Sequence, residues 1–489
     1  MGTERTVTGT AEEDAGARGA PPREAGGARR RQNATLAALV LVVLSYGLMQ
    51  TMLVPTVGVL QRELGASAAA ASWAVLSSTL LSSAVVTPLV GRLADRHGTR
   101  GALLASLAVY LLGTAGAVFA PDVAWLIGFR AVQGVSLALL PLAFTVVRQV
   151  LPPGRVAFGL ALTSGLVGGT AGVGLLAGGL VVDHASWRWL FVAGSVLVLA
   201  ALVACARWVP EVPAAGRGRI DTPGALVLAA ALVALLLAVT EGPAWGWGSP
   251  AVLALFGAAP LLFAAFVLVE RRVADPLVDL GLLTGRRLAA AHTGAFLLGL
   301  NQFVFYVLLP RLSQLPDRPA VSGHAVARGF GTTVTGAALI LLPGTLLSLA
   351  ASGAAPRLER RRGARFPLAG GLAVAAAGGV LLAVAHTAVW EVVVGYAVCG
   401  TGYGFAMAAL PRLVASAAPA AHGGAANGVN TVARTVGGAV GSQVGISLVV
   451  GVTAADTGLA SPAAYTVAFA GAAAVAAAGA LGAARGPRP

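Results

Sequence analysis

The sequence of 489 residues has few charged side chains, and it contains no lysine at all. Charged residues make up 11% of the chain, whereas an ordinary soluble domain is about a quarter charged. A chain of this length needs a polar surface to dissolve in water, so the composition excludes a soluble globular protein. The two cysteines, Cys205 and Cys399, lie far apart in apolar stretches, and we predict neither a disulfide nor a metal site.

Long apolar runs are what the sequence has instead of charge. Hydrophobic residues make up 57% of the chain, and the mean hydropathy is +0.82. A helix needs about 20 apolar residues to cross the hydrocarbon core of a bilayer. With that window we predict an all-α polytopic membrane protein of about 14 transmembrane helices. They lie near residues 35–60, 71–91, 101–120, 123–148, 156–182, 188–208, 222–241, 250–270, 288–312, 330–351, 366–385, 388–414, 426–452 and 462–484.

The formal net charge of +14 raises the question of a nucleic-acid partner. The arginines, however, form short clusters between the apolar runs, as at Arg29–Arg31, Arg92–Arg100 and Arg357–Arg365. With the N-terminus placed inside, these clusters fall on the cytoplasmic side, as the positive-inside rule requires. We therefore predict no nucleic-acid partner, a multi-pass protein of the inner or plasma membrane in contact with the lipid bilayer, and both termini in the cytoplasm.

The chain also contains a weak internal repeat. The segment 91–100 joins predicted helices 2 and 3, and the equally basic segment 353–365 joins helices 10 and 11. Two parallel six-helix halves are a common transporter architecture, with helices 7 and 8 inserted between them here. The predicted divisions are a disordered cytoplasmic tail (1–33), an N-terminal six-helix bundle (34–210), a two-helix insertion (211–285), a C-terminal six-helix bundle (286–485) and a cytoplasmic tail (486–489).

The segment Gly91-Arg-Leu-Ala-Asp95-Arg96-His-Gly-Thr-Arg100 resembles the signature of the major facilitator superfamily, G-x-L-x-D-R-x-G-R-[RK]. Thr99 departs from the pattern at one basic position. We expect Gly91 to end a helix and allow close backbone approach, and Asp95 to lie at a neighbouring helix N-terminus. The resemblance implies that Asp95, Arg96 and Arg100 form a cytoplasmic latch for the outward-facing state.

Predicted helix 4 contains an arginine in mid-span, in the sequence Arg130-Ala-Val-Gln133-Gly134, which is similar to the R-x-x-Q-G element of the same superfamily. An arginine at that depth costs about 2.5–3.5 kcal/mol on insertion scales, so its presence needs a reason. In one interpretation Arg130 faces a central cavity and tunes a proton-accepting or substrate-binding site. In the other it is structural and satisfies helix-end carbonyls.

Predicted helix 5 carries a run of glycines, which lets a partner helix approach at backbone distance. Gly174, Gly178 and Gly179 match the antiporter signature G-P-x-x-G-G of the superfamily, and Leu175 stands where the proline is expected. Glycine-rich packing is also common in membrane helices generally. The resemblance therefore implies an antiporter, and ordinary helix packing is the alternative explanation for the glycines.

Three further stretches, 187–191 (WRWLF), 245–247 (WGW) and 270–280 (ERRVADPLVDL), resemble the 14-helix drug:proton antiporter branch of the superfamily. Taken singly, the tryptophans could be interfacial anchors. The branch commonly carries an Asp in helix 1, whereas residues 48–52 contain none. The remaining candidates for the proton carrier are His292, more often structural at a helix start, and the carboxylates at helix ends: Asp183, Glu241 and Glu391.

Other intramembrane polar residues gather on helices that would line a cavity between the halves. With Arg130, the predicted substrate cavity consists of Gln50, Thr51, Gln133, Asn301, Gln302, Tyr306, Tyr403, Asn430 and Arg434. Such a lining suits a bulky amphipathic or anionic solute. For any single residue, hydrogen bonding between helices is the alternative.

The resemblance implies a secondary active transporter that exports drug-like or endogenous hydrophobic and amphipathic small molecules in exchange for protons by alternating access, as in multidrug efflux and antibiotic resistance. The alternatives are a proton-linked or facilitative metabolite importer of the same fold and a non-transporting scaffold or sensor. No G-x-x-x-x-G-K-[ST] motif and no catalytic cluster is found. We therefore predict no enzyme activity, no cofactor, the proton gradient as driving force and a functional monomer.

Overall fold

The structure is a computed structural model that describes residues 22–211, 221–273, 276, 280, 285–317, 327–363, 365–417, 423–452 and 460–485. The first helix begins at Pro22. The tail predicted to be disordered up to residue 33 is therefore helical from residue 22, and residues 1–21 lie outside the described part. The predicted C-terminal tail, 486–489, and most of the stretch 274–279 also lie outside it.

The described residues form long helices, which we label α1 to α14 in chain order. A π-helical turn interrupts α2 and a 3-10 turn interrupts α4. A 3-10 turn and a short α-helix follow α1 and extend its span. The helices are α1 (Pro22–Met52, followed by Val54–Thr56 and Val57–Glu63), α2 (Ala68–Ser72, Trp73–Ser77 and Ser78–His97), α3 (Thr99–Val118), α4 (Val123–Gln133, Gly134–Ala138 and Leu139–Val150), α5 (Pro153–His184), α6 (Arg188–Trp208), α7 (Thr222–Trp245), α8 (Pro250–Glu270), α9 (Arg286–Gln314), α10 (Val334–Arg362), α11 (Arg365–Val384), α12 (Val389–Ala417), α13 (Gly423–Gly451) and α14 (Pro462–Arg485).

The all-helical polytopic fold predicted from the sequence is confirmed. Among the described residues, twelve helices are long and apolar enough to cross a membrane. The two others, α5 and α13, are 32 and 29 residues long and belong to the same array. The outer surface carries large apolar side chains, such as Leu112, Leu226 and Leu261, which are 70–71% exposed. Lipid is the solvent that such a surface requires.

Single glycines make the two turns that the repeat predicts to be equivalent. Gly98 separates α2 from α3 with φ +89°, and Gly363 follows α10 with φ +81°, a conformation that only glycine adopts without strain. Gly91 does not end a helix, because α2 continues to His97. The expectation for Gly91 was wrong, since a hydrophobic run marks where the membrane ends and a helix continues beyond it. For the same reason α10 continues to Arg362 instead of ending near residue 351.

The helices pack in groups. α1 packs on α5 and α6, α3 on α6, and α7 on α8, while α9 packs on α13 and α12 packs on α10 and α11. Between α1–α6 and α9–α14, α5 contacts α10 and α2 contacts α13. Helix α7 also contacts α13. The exact boundaries of the predicted halves stay a prediction.

Candidate functional site

Gln302 and Tyr306 of α9 form a small polar group with Tyr396 of α12. On α9 the amide of Gln302 donates to the hydroxyl of Tyr306 at 3.4 Å. That hydroxyl also interacts with Tyr396 and lies within electrostatic range of Arg434 on α13 and of Tyr46 on α1. Gln50 lies one turn beyond Tyr46, and its Nε2 has no hydrogen-bond partner. The structure thus brings Gln302 and Tyr306 together, and it adds Tyr396, which the sequence did not indicate.

Other members of the predicted cavity hold helices together instead. Tyr403 donates to Asn301 Oδ1 at 2.6 Å, and Asn301 Nδ2 donates to the carbonyl of Ala472 at 2.6 Å. Both side chains are buried, at 1% and 0% exposure. Thr51 bonds the carbonyl of Gly47 within its own helix. Hydrogen bonding between helices, the alternative given above, describes Asn301 and Tyr403, and Thr51 also lies 3.4 Å from the carbonyl of Thr170 on α5.

Asn430 on α13 bonds two groups of α9. Its Nδ2 lies 3.2 Å from the carbonyl of Ala291 and 3.2 Å from Nδ1 of His292. His292 is 6% exposed. His292 therefore has the buried, hydrogen-bonded surroundings expected of a structural histidine.

Arg130 is enclosed between α4 and α2. It is 1% exposed. Its Nε donates to the carbonyl of Ala74 at 3.1 Å, one Nη to the carbonyl of Val75 at 2.6 Å and the other to Oε1 of Gln133 at 2.5 Å. Ala74 and Val75 lie in the π-helical turn Trp73–Ser77, whose carbonyls are displaced from regular helix geometry. The structure therefore places Arg130 on backbone carbonyls and does not place it facing the central cavity.

The far side of that π-helical turn carries a hydrogen-bonded cluster that joins α2, α7 and α13. Thr240 Oγ1 accepts from Trp73 Nε1 and donates to Gln443 Oε1, both at 3.0 Å. Gln443 Nε2 donates to Ser77 at 2.6 Å, and Ser77 lies 2.7 Å from Ser442. We call these five residues the polar cluster. Sequence reasoning missed it, although the adjacent polar pair Ser442-Gln443 in an apolar helix was a signal.

The hydrogen bonds described next join α1–α6 to α9–α14 at one end of the helix array. Odd-numbered helices end, and even-numbered helices begin, at the face opposite the chain termini, which we call the distal face. There the carboxylate of Asp183, at the end of α5, accepts from the backbone N–H groups of Val334 and Thr335 at 3.0 and 2.8 Å. These are free N–H groups at the start of α10. Gln314 also donates to the carbonyl of Pro55 at 2.8 Å. The two groups of helices are closed against each other at the distal face.

The opposite, proximal face carries the signature segment. Arg100 pairs with Glu211, which follows α6, at 2.9 Å. It also donates to the carbonyl of Ala206, in the last turn of α6, at 2.8 Å. Arg96 and Gly91 are exposed, and the side chain of Asp95 lies outside the described residues. Arg92 donates to the carbonyl of Pro276, just after α8. The predicted latch depends on the contacts of Asp95, and it stays a prediction.

The helix 5 glycines lie where neighbouring backbones come closest. A Cβ on Gly178 would lie 2.0 Å from the carbonyl oxygen of Met52 on α1, and one on Gly179 would lie 2.6 Å from Cα of Thr335 on α10. A Cβ on Gly174 would lie 2.0 Å from Oγ1 of Thr51. Leu175, in the place of the family's proline, is buried. Gly178 therefore serves the packing of α5 on α1, and Gly179 serves the closure of α5 on α10.

The predicted proton carriers have different surroundings. Glu391 accepts from the N–H groups of Thr387 and Ala388 at 2.8 and 2.9 Å, so it caps its own helix, α12. Asp183 caps α10, as described above. Glu241 is half-buried and follows Thr240 of the polar cluster. Their role in coupling stays a prediction.

The Major Facilitator Superfamily model matches residues 39–442. The puromycin resistance protein pur8 of Streptomyces alboniger is 34% identical over 71% of this chain and 66% of its own length. The tetracenomycin C resistance and export protein of Streptomyces glaucescens is 32% identical over 58% of this chain and 52% of its own. The chain therefore matches about half to two thirds of the length of these relatives.

Solved structures show the same fold at low sequence identity. The POT family transporter PepTSo superposes with a TM-score of 0.64 and 15% identity over 93% of this chain and 97% of its own. The human organic anion transporter MFSD10 superposes with a TM-score of 0.60 and 15% identity over 95% of this chain and 100% of its own.

Proposed function

Because the chain belongs to the major facilitator superfamily, we propose that it is a proton-coupled exporter of drug-like or endogenous hydrophobic and amphipathic small molecules. The observation that carries the export direction is the 34% identity over 71% of the chain to a protein named for puromycin resistance. A second relative is named for resistance and export. The lining of tyrosines, amides and one arginine around Tyr306 supports a bulky amphipathic substrate, since aromatic rings offer contact area and amides offer adaptable hydrogen bonds.

We also propose the setting in which the exporter works. The arginine clusters support cytoplasmic termini in a cell membrane, and the proximal face is then the cytoplasmic one. The structure described above would accordingly be an inward-facing state, sealed at the distal, extracytoplasmic face and ready to load substrate from the cytoplasm or the inner leaflet. We propose a functional monomer that has no enzyme activity and needs no cofactor.

The energy requirement of export is within reach of one proton. One elementary charge that crosses a potential of 100 mV releases about 2.3 kcal/mol, enough for a substrate gradient of about fifty-fold. To use it, the transporter has to break the contacts of the distal face and form others at the proximal face. The contacts that must break include the Asp183 carboxylate on α10 and the polar cluster.

Substrate uptake by inverted membrane vesicles tests the proposed function. Vesicles that contain the protein, under an imposed proton gradient, should accumulate compounds from a panel headed by puromycin and tetracenomycin C. A protonophore should abolish the accumulation, and vesicles without the protein should show none. Protonophore-insensitive equilibration would instead indicate the facilitator alternative, and absence of any transport across the panel would contradict both.

Replacing Asp183 by alanine is expected to favour the state that is open at the distal face. The change removes two charge-assisted hydrogen bonds to the start of α10. A lost helix N-cap costs about 1 kcal/mol, which shifts a two-state equilibrium about fivefold. A cysteine placed at Thr56, buried at 0% exposure in the distal turn, should react faster with an impermeant maleimide applied from the distal side.

Glu391→Ala is the matched control for this experiment. Glu391 is also a capping carboxylate at the distal face, but it caps only its own helix. Its loss should leave the labelling rate of the Thr56→Cys probe unchanged. Equal labelling rates in the Asp183→Ala and wild-type backgrounds would mean that the cap does not hold the distal face closed.

A further inference from the structure

The inserted helix α7 forms hydrogen bonds with helices of both groups near the distal face. Thr240 lies five residues before Trp245, where α7 ends. Its hydroxyl accepts from Nε1 of Trp73 on α2 and donates to Oε1 of Gln443 on α13, both at 3.0 Å. A threonine hydroxyl has a single proton to donate, and here α13 receives it. Thr240 is therefore the point at which α2, α7 and α13 meet.

The attachment of α7 to α13 is double and buried. Besides the bond from Thr240 to Gln443, the hydroxyl of Ser447 on α13 donates to the carbonyl of Val239 on α7 at 2.8 Å. Gln443 and Ser447 are 0% and 6% exposed. Separation of α7 from α13 would leave these buried groups without partners, which is costly. The two bonds therefore favour joint movement of α7 and α13.

The attachment of α7 to α2 is weaker. Among the described residues one hydrogen bond joins the two helices, and its donor is the indole N–H of Trp73. Trp73 is half-buried, whereas the side chains of α13 that bond α7 are almost fully buried. A donor near water exchanges its protein acceptor for water at little net cost. This bond can therefore break and form again during a conformational cycle.

Helices α2 and α13 are also closed against each other at this depth. Ser77 of α2 lies 2.7 Å from Ser442 and accepts from Nε2 of Gln443 at 2.6 Å. Transporters of this architecture alternate access by rocking one group of helices against the other, so α2 and α13 must part when the distal face opens. Helix α7 is bonded to both and cannot follow both of them.

We propose that α7 moves with α9–α14, and that Trp73 and Thr240 form a latch that fastens α2 to this unit while the distal face is closed. The inference rests on the proposed function, because it requires alternating access. Opening of the distal face then breaks the bond between Trp73 and Thr240 and keeps the bond between Thr240 and Gln443. The inserted helices α7 and α8, which pack on each other, are thus a moving part of the distal gate.

Cross-linking α7 to each of its two neighbours tests which of them it follows. The double variant V239C/S447C allows a short bifunctional maleimide to tie α7 to α13, and W73C/T240C allows it to tie α7 to α2. Both native cysteines are buried and should not react. We expect the cross-link to stop transport in W73C/T240C and to leave the transport rate of V239C/S447C unchanged. Each variant without the reagent is its own control, and mass spectrometry of the intact protein measures the extent of cross-linking.

Two outcomes of the cross-linking experiment would overturn the proposal. Loss of transport in cross-linked V239C/S447C would mean that α7 has to leave α13 during the cycle. Full transport by cross-linked W73C/T240C would mean that α7 and α2 stay together when the distal face opens.

The substitution Trp73→Phe gives a readout that does not depend on transport. It keeps an aromatic ring and removes the indole N–H that bonds Thr240. Loss of one hydrogen bond of about 1 kcal/mol shifts a two-state equilibrium about fivefold. Distal labelling of the Thr56→Cys probe should therefore be about fivefold faster. The matched control is Trp189→Phe, because Trp189 is 59% exposed on α6, and its replacement should leave the labelling rate unchanged.

The labelling experiment also separates failure of the latch from failure of the proposed function. Equal labelling rates in the Trp73→Phe and wild-type backgrounds would show that the indole N–H does not hold the distal face closed. If wild-type vesicles transport no compound of the panel, the proposed exporter is contradicted, and the labelling rates alone then decide whether the latch exists.

Discussion

Replacing Arg130 by alanine is expected to abolish export while the protein still inserts into the membrane. The guanidinium is 1% exposed and donates to two backbone carbonyls of α2 and to Gln133. Alanine would leave these acceptors buried without donors, at about 1–3 kcal/mol each. Water cannot replace the lost donors at that depth without a cavity that polar groups line. The π-helical turn Trp73–Ser77 would relax towards regular helix and move Ser77 out of the polar cluster.

Efflux from cells that express equal amounts of membrane-inserted protein measures this effect. Arg148→Ala is the matched control, because Arg148 lies on the same helix but is exposed, and its loss should not change efflux. Arg130→Lys should recover part of the activity at most, since one ammonium group cannot reproduce the fork of a guanidinium. Wild-type efflux by Arg130→Ala would show that the π-helical turn is not needed for transport.

The all-helical membrane fold and the approximate number of helices could be predicted because each helix that crosses a bilayer requires a hydrophobic run, and arginine clusters separate the runs. Helix ends could be predicted less well. The runs stop at the membrane surface, whereas α2 and α10 continue to glycines with positive φ, and α1 begins inside a tail that looked disordered. Composition alone cannot show a helix that extends into water.

The candidate site could be predicted only in part, because a polar residue in an apolar helix can face a cavity, a neighbouring helix or its own backbone. Gln302 bonds Tyr306 on its own helix, whereas Asn301, one residue earlier, bonds α14. Arg130 was singled out correctly as unusual. Its partners are backbone carbonyls of the π-helical turn, and the residues Trp73–Ser77 give no sign of such a turn.

The substitution Gly178→Ala is expected to have the second large effect, a loss of folded protein. Its Cβ would lie 2.0 Å from the carbonyl oxygen and 2.7 Å from the carbonyl carbon of Met52. These are backbone atoms of α1, so no side chain can rotate away and the two helices must separate. Overpacking of this kind costs about 1–3 kcal/mol, and separation also loses dispersion contacts along both helices. A lower melting temperature in detergent, measured by tryptophan fluorescence, checks the expectation.

Two further glycine substitutions show whether this effect belongs to the fold or to the closed state. Gly128→Ala meets no atom within 4 Å and should melt as the wild type does. Gly179→Ala meets α10 at Thr335, a contact that opening of the distal face would relieve. It should therefore keep most of the thermal stability while it speeds distal labelling of the Thr56→Cys probe. If Gly178→Ala melts as the wild type does and only changes labelling, then α1 and α5 move apart during the transport cycle and do not form one rigid unit.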